Sequence, residues 1–190
     1  MTPLWYRWRT VASDFEIIFA ALQQARVQYL VVGGVAVVLH GHARFTADLD
    51  LVVALDPSNS LAAVQALGAL GYRPRAPVSA TAFADPAMRA EWVRDKALTV
   101  LSFWSPEYPA TEIDLFVEEP FPFVEAHQRA TWADLGNVQI PVASIPDLIA
   151  IKRVAGRPKD LEDIRALQAL EIDEGGASRP PSSSPEADDA

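Results

Sequence analysis

The 190-residue sequence contains no cysteine, which excludes disulfide bonds and metal sites built on thiolates. It also lacks an apolar run of the roughly 18–20 residues that a membrane-spanning helix requires. The longest candidate, residues 29–39, is interrupted by Gly33 and Gly34. The N-terminus has no basic segment followed by an apolar core, so we expect no secretory signal. These absences favour a cytoplasmic protein with no membrane partner.

Basic charge is also in deficit, since 16 lysines and arginines face 25 aspartates and glutamates and give a net charge of −9. A surface that coats nucleic acid broadly would need the opposite balance. Five of the acids lie within residues 173–190 beside a single arginine, so the rest of the chain is less acidic. A local basic patch, at Arg7 and Arg9 or at Arg73 and Arg75, is compatible with this balance.

The length favours one domain, because single domains commonly contain about 100–200 residues. We predict that this domain spans residues 1–172 and that its C-terminal portion, residues 145–171, is helical. Residues 173–190 are rich in proline, serine and acidic side chains. Such a segment cannot bury enough apolar surface to fold, so we predict a disordered tail.

Hydrophobic periodicity predicts helices that alternate with short strands. Ser13 and Glu16 match a capping box, which predicts a helix that begins at residue 14. The predicted helices cover residues 14–26, 35–40, 57–70, 146–155 and 159–170, and the predicted strands cover residues 28–32, 47–54, 99–104, 112–117 and 138–142. This order indicates the α+β class, with a small mixed β-sheet and helices packed on it.

Gly33 and Gly34 lie where the first predicted strand turns into a helix. Without a Cβ atom, the backbone N–H groups of such a pair can approach phosphate oxygens closely. The helix that begins there adds the positive end of its dipole. The pair is therefore a candidate triphosphate-binding turn, although a plain tight turn would use the same residues.

Asp48 and Asp50 lie two residues apart in a predicted strand. Side chains at such spacing point to the same face, so the two carboxylates would repel each other unless a cation lay between them. Oxygen ligands of this kind suit Mg²⁺ or Mn²⁺. The alternative is a solvated polar face on an edge strand.

Asp114 interrupts an apolar strand, where burial of a carboxylate without a partner is costly. A third acid on a neighbouring strand would complete a metal site with Asp48 and Asp50 and could accept the proton of an attacking hydroxyl. Glu112 shares the face of Asp114 and competes for this role.

Taken in this order, the glycine pair, the paired acids and the third acid resemble the active-site residues of the DNA polymerase β nucleotidyltransferase superfamily. A longer set of matches is similar to small bacterial nucleotidyltransferases related to abortive-infection toxins. These matches are residues 29–36, His40, Gly41, Arg44, Thr46, Asp48 and Asp50, followed by Lys152, Arg157, Lys159, Asp160 and Asp163. The resemblance covers about residues 13–170 and implies a polymerase β-like nucleotidyltransferase fold.

The resemblance also implies roles for residues outside the acidic motif. Arg44 and Thr46 would lie at the nucleotide site, although Arg44 could also simply balance the carboxylates. Lys152 would reach the triphosphate as a point charge, and Arg157 could grip phosphate through two hydrogen bonds. Asp160 would belong to the same site or, alternatively, would only cap the last helix.

Three functions follow from the resemblance. The first is metal-dependent transfer of a nucleoside monophosphate from an NTP to an RNA, such as the 3′ end of tRNA, by a toxin-type enzyme with a cognate antitoxin. The second is the same chemistry on a small antibiotic-like molecule or on a protein side chain. The third is a catalytically silent toxin–antitoxin interaction module. The complete set of acids and glycines disfavours the third, and the absence of an obvious extra substrate domain favours the first.

Overall fold

The computed structural model describes the backbone of residues 4–46 and 48–177 and the side chains of residues 14–46 and 48–172. Two helices, a strand–helix turn and a seven-stranded sheet organise these residues around the predicted site. The elements are α1 (Leu4–Gln24), β1 (Tyr29–Val32), α2 (Gly33–Leu39), β2 (Leu49–Val53), α3 (Pro57–Ala69), β3 (Arg73–Pro74), a 3-10 helix (Ala80–Ala84), α4 (Pro86–Lys96), β4 (Val100–Trp104), β5 (Ile113–Phe116), α5 (Phe123–Gln128), β6 (Thr131–Leu135), β7 (Val138–Val142), α6 (Ile145–Ala155) and α7 (Pro158–Ala177).

The sheet has the strand order β3-β4-β5-β2-β1-β7-β6. Strands β2 and β5 run parallel, as do β1 and β7, whereas the other neighbours are antiparallel. The sheet is therefore mixed and carries helices, which confirms the predicted α+β class. No helix among the described residues is long and apolar enough to cross a membrane.

The central strands β1 and β2 are buried because their sequences are almost entirely apolar. Helix α1 packs on the sheet through Ile18, Phe19 and Leu22, which share one helical face and are fully buried. Phe19 stacks on Tyr29 with 5.7 Å between the ring centroids. This core fixes the strands from which the acidic side chains project.

The start of the first helix was predicted wrongly. Helix α1 begins at Leu4 and runs through Ser13, so Ser13 does not cap it. The carboxylate of Glu16 instead accepts a hydrogen bond from the backbone N–H of Asn137, at 3.2 Å, in the turn between β6 and β7. The Ser13–Glu16 pattern therefore does not mark a helix start, and Glu16 binds a turn that is distant in the sequence.

Five elements have no counterpart among the predicted ones, namely β3, the 3-10 helix, α4, α5 and β6. Strand β6 is largely exposed at the sheet edge, and its pairing with β7 rather than its own apolar content defines it. Helix α7 extends to Ala177, beyond the predicted domain end at residue 172. Residues 178–190 lie outside the described residues, and the domain boundary and the disordered tail remain predictions.

Helices α6 and α7 form a hairpin that folds back on the site. Ser144 caps α6 by accepting a hydrogen bond from the Asp147 backbone N–H. Gly156 ends the helix with φ of 62°, a left-handed conformation that glycine adopts without strain. Pro158 then begins α7, where its missing N–H and fixed φ are compatible with a first helical turn. The hairpin brings Lys152 of α6 next to the acids of α7.

Candidate active site

One cavity is lined by every residue that the sequence placed at the site. It encloses about 670 Å³ of empty space, part of which is open to solvent. The predicted residues on its wall are Gly33, Gly34, Arg44, Thr46, Asp48, Asp50, Asp114, Lys152, Arg157 and Asp160. Residues separated by more than a hundred positions in the chain therefore meet at one place, while their individual roles remain predictions.

The glycine pair lies against the acidic motif more closely than any other residue type would allow. Gly33 has φ of +66°, and a Cβ atom built on it would lie 1.9 Å from Asp50 Oδ2. A Cβ atom on Gly34 would lie 2.6 Å from Thr46 Oγ1 and 2.9 Å from Arg44 Nη2. The Gly34 backbone N–H donates a hydrogen bond to the Asp50 carboxylate. Both glycines are thus required by close approach.

Gly33→Ala is expected to abolish NTP binding. The backbone at position 33 is left-handed, which alanine disfavours, and the new methyl group would overlap the Asp50 side chain. The measurement is the Kd for each NTP, together with the thermal unfolding midpoint. Gly68→Ala is the matched control, since it lies within α3 with nothing within 4 Å of the new Cβ. That control should gain up to about 1 kcal/mol of stability and bind NTP normally. NTP binding by Gly33→Ala at the wild-type Kd would contradict the role of this turn.

The three acids differ in environment. Asp50 lies on β2 directly beside Asp114 on the parallel strand β5. Burial, reinforced by the charge of Asp114, raises the pKa of Asp50 to about 6. Burial also raises the pKa of Asp114, although a hydrogen bond from Ser102 opposes the change. Asp48 precedes the first residue of β2 and is exposed. The predicted strand 47–54 therefore starts later than expected, but both Asp48 and Asp50 face the cavity.

The chemistry of the three acids suits a divalent cation. In the described part of the chain, however, no three histidine, cysteine, aspartate or glutamate side chains are close enough together to form a complete metal site. Asp114 Oδ1 is buried and has no hydrogen-bond partner. An unpaired buried carboxylate oxygen is costly unless a ligand satisfies it. Burial is the main cause of the raised pKa values of Asp50 and Asp114, and the neighbouring carboxylates add to it. An all-oxygen donor set of this kind suits Mg²⁺ or Mn²⁺.

Glu112, the competitor of Asp114, has a different partner. Its two carboxylate oxygens accept hydrogen bonds from Nε and Nη2 of Arg75, the latter at 2.9 Å. Glu112 does not line the main cavity, whereas Asp114 does. These contacts favour Asp114 as the third acid.

Three cationic side chains of the cavity, Arg44, Lys152 and Arg157, pair with the buried acids of α7. Lys152 is only 5% exposed, and its Nζ donates to Asp163 Oδ2 at 2.6 Å. Arg44 donates to the same oxygen at 2.5 Å. Arg157 donates to Asp160 at 2.7 Å, and Lys152 lies 3.5 Å from Asp160. Asp160 therefore holds cations rather than acting only as a helix cap.

Asp163 is the residue whose importance sequence reasoning missed. It was matched to the C-terminal signature but was not predicted to be a site residue. Burial alone would raise its pKa, but the hydrogen bonds from Lys152 and Arg44 outweigh burial and lower it. The available signal was an acid at position 163, three residues after Asp160 and on the same helical face. Its partner Arg44 is 119 positions away.

The family of the chain follows from comparison with known proteins. The profile of the family described as "Nucleotidyl transferase AbiEii toxin, Type IV TA system" matches residues 16–178. The chain belongs to this family. The predicted relationship to abortive-infection toxin nucleotidyltransferases is thereby confirmed, and the protein is a nucleotidyltransferase enzyme. Membership implies an NTP substrate and, through the type IV system, an antitoxin.

Solved structures share the fold. The lincosamide antibiotic adenylyltransferase LnuA, solved with lincomycin, matches with a TM-score of 0.57 and 16% identity, over 83% of this chain and 96% of that one. The enzyme ANT(2″)-Ia, solved with adenylyl-2″-tobramycin, matches with a TM-score of 0.54 and 14% identity, over 87% and 95%. No curated protein sequence matches this AbiEii family member significantly.

The cavity of this AbiEii family member also has an apolar wall that was not predicted. Phe116 follows Asp114 by two residues on β5, and Leu148, Ile151 and Ala155 line the cavity from α6. For Phe116 the sequence signal was its position two residues after Asp114 on a strand, and for Leu148 and Ala155 it was a spacing of about one helical turn from Lys152. Such a wall can take the apolar face of a nucleobase.

Proposed function

We propose that the protein transfers a nucleoside monophosphate from an NTP to a hydroxyl group in a reaction that depends on Mg²⁺ or Mn²⁺. The observation that carries the proposal is the convergence at one cavity of a glycine turn, two acids in register on paired strands and a buried lysine. Phosphoryl-group transfer needs a phosphate-binding element, metal ligands and a group that positions the nucleophile. Each is available among these residues.

The glycines and the cationic residues would bind the triphosphate, and the acidic residues would bind the metal. The turn at Gly33 and Gly34 lets the triphosphate approach the backbone closely, because neither residue has a Cβ atom, and Lys152 and Arg157 oppose its negative charge. Asp48, Asp50 and Asp114 would hold the metal. A bound divalent metal polarises the phosphoryl oxygens and neutralises charge that develops on them.

Asp114 is proposed to accept the proton of the attacking hydroxyl. The acceptor oxygen forms a bond to the α-phosphorus, and the bond from that phosphorus to the bridging oxygen breaks. Pyrophosphate leaves with the electron pair of that bond. A carboxylate whose pKa is raised by burial is a better proton acceptor than an exposed one.

The acceptor we propose is the 3′ end of an RNA such as tRNA. Two features support it, namely membership of a toxin family and the exposed arginines Arg73 and Arg75 near the acids. A small hydroxylated molecule is the second candidate, because LnuA and ANT(2″)-Ia are antibiotic adenylyltransferases with a similar fold. The proposed substrates place the reaction in the cytoplasm.

The test is incubation of the protein with each α-labelled NTP, Mg²⁺ and either total RNA or a panel of aminoglycosides and lincosamides. We expect label to be transferred to RNA when Mg²⁺ is present and not to be transferred when a chelator is added. Asp48→Asn, which changes an exposed side chain, should fold normally and transfer no label. Label on the small molecules alone would replace the proposed acceptor by the second candidate. Activity in the chelated sample or in Asp48→Asn would refute the metal assignment.

A further inference from the structure

A second cavity opens beside Asp48, toward strand β4 and therefore farther along the sheet from the glycine turn. It encloses about 510 Å³, part of it open to solvent, and its wall includes Asp48, Arg75, Trp104, Tyr108 and Glu112. Asp48 lines both cavities, but the glycine pair and the C-terminal cations line only the first. The two cavities therefore meet at Asp48, which is one of the predicted metal ligands.

The strand order explains this arrangement. In the sequence of strands β4-β5-β2-β1, the acids of β5 and β2 lie between Trp104 of β4 and the glycine turn that follows β1. Ser102 is opposite Asp114, and Asp114 is opposite Asp50, so these residues form a row across one face. Trp104 shares that face with Ser102, because residues two apart on a strand point the same way. The row ends at Arg73, which is opposite Trp104.

The reaction geometry assigns different substrates to the two cavities. In phosphoryl transfer the attacking and leaving oxygens lie roughly in line on opposite sides of the phosphorus. If the triphosphate lies against the glycine turn and Lys152, the attacking hydroxyl must come from across the acids. That position is the second cavity.

The wall of the second cavity is preformed by hydrogen bonds. Tyr108 stacks on the buried Tyr72 with 5.8 Å between centroids and 4° between ring planes. The Tyr72 hydroxyl donates to the backbone oxygen of Thr111, and the Thr111 hydroxyl donates to Asp14, both at 3.3 Å. The Ser105 hydroxyl donates to the Leu70 oxygen at the other end of the loop. The loop between β4 and β5 is thus held in place as one side of a binding site.

Trp104 is the large apolar side chain that this cavity leaves in contact with solvent, with 41% of its surface exposed. An exposed indole next to arginines is typical of sites that stack an unpaired base. The two acids of this cavity each have a positive partner that would reduce their repulsion of RNA. Glu112 pairs with Arg75, and Asp48 is a predicted metal ligand. Arg73 is exposed and has no ion-pair partner within the described part of the chain, which leaves it available for a backbone phosphate.

We propose that the second cavity is the acceptor subsite and that it takes the 3′-terminal nucleoside of single-stranded RNA. The base stacks on Trp104, and the ribose hydroxyl reaches past Asp48, where the two cavities meet, toward Asp114 in the first cavity. Arg73, which lies opposite Trp104 on the neighbouring strand, binds the adjoining phosphate. This assignment rests on the proposed transfer to RNA, and it makes Trp104 and Arg73 positioning residues rather than catalytic ones.

The test compares Trp104→Ala with Trp132→Ala, a control at the opposite edge of the sheet whose indole is 56% exposed. Trp104→Ala should raise the KM for RNA by roughly tenfold or more, since stacking of one base commonly has an effect of that size. The value of kcat and the Kd for NTP should change little. Trp104→Phe should restore most of the affinity, and Trp132→Ala should match wild type.

A binding measurement separates this subsite from the proposed function. The anisotropy of a 5′-labelled, single-stranded RNA with a free 3′ end should report weaker binding by Trp104→Ala, also without NTP. Arg73→Ala should reduce the slope of log affinity against log salt by about 0.7, the value for one phosphate on a single strand. Wild-type labelling of RNA with equal KM for both tryptophan variants would overturn the subsite alone. An absence of RNA labelling by wild type would overturn the RNA acceptor and the subsite with it.

Discussion

Asp50→Asn is expected to reduce nucleotidyl transfer by about a thousandfold or more while leaving the metal-free protein at least as stable as wild type at neutral pH. The loss of activity follows from the removal of a charged metal ligand, because metal polarisation contributes several kcal/mol to such reactions. The retained stability follows from the environment of Asp50, which disfavours its charged form. An asparagine oxygen can still accept the hydrogen bond from Gly34.

The stability effect has a defined pH dependence. The folded-state pKa of Asp50, about 6, lies above the ordinary value of 3.8. Ionisation of this carboxyl therefore costs stability as the pH rises from about 4 through 6, and the asparagine variant has no such cost. The variant should gain at most about 3 kcal/mol relative to wild type above pH 6, and nothing below pH 4. Urea unfolding at several pH values, in the presence of a chelator, measures this difference.

Asp56→Ala provides the matched control for Asp50→Asn. The Asp56 side chain caps α3 by accepting a hydrogen bond from the Asn59 backbone N–H. A hydrogen bond from the Ser58 hydroxyl and then this capping bond lower the pKa of Asp56. Its loss should cost about 1 kcal/mol and leave transfer unchanged, the reverse of the result at Asp50. Full activity of Asp50→Asn, or a marked loss of its stability at neutral pH, would contradict the assignment of Asp50.

Asp163→Asn is expected to lower the free energy of unfolding by about 3–5 kcal/mol, because it leaves a buried lysine without its nearest counter-charge. Asp163 is 2% exposed and accepts hydrogen bonds from both Lys152 and Arg44. Asp160, at 3.5 Å, would remain as an ion-pair partner of the Lys152 ammonium group, but no hydrogen bond as short as that of Asp163 would replace the lost one. Transfer should also fall, because Lys152 and Arg44 line the cavity and lose their fixed positions.

Two comparisons isolate this effect. Glu162→Gln removes an acid from the exposed side of the same helix and should change stability by less than about 0.5 kcal/mol. Lys152→Met should lose transfer but less stability than Asp163→Asn, because Asp163 keeps Arg44 as a partner. The lowered pKa of Asp163 means that its contribution is present at neutral pH and is lost as the pH falls below about 4. Equal unfolding free energies for Asp163→Asn and Glu162→Gln would refute the role of the network.

Local patterns were sufficient for much of the fold. Five strands, namely β1, β2, β4, β5 and β7, were predicted because a buried strand consists of consecutive residues that are mostly apolar. Strands β3 and β6 were not predicted, since each is short and exposed and is defined by the strand it pairs with. The false capping box at Ser13 has the same cause, because a four-residue pattern does not show which contacts compete for it.

The sequence by itself was enough to predict the class of enzyme, which family membership confirms. Gly33, Gly34, Asp48, Asp50 and Asp114 occur in the order that resembles the nucleotidyltransferase motif, and this order can be recognised in the sequence without the fold. Strand pairing then places Asp50 beside Asp114.

Only the tertiary structure decided which charges meet and where the second cavity opens. Arg44 and Asp163 are 119 positions apart, so no local pattern relates them. The cavity beside Trp104 exists because β4 and β5 are neighbours and a hydrogen-bonded loop joins them. Ion pairing and cavity shape depend on distances between strands and helices, and those distances are set by packing of the whole core rather than by any segment of the sequence.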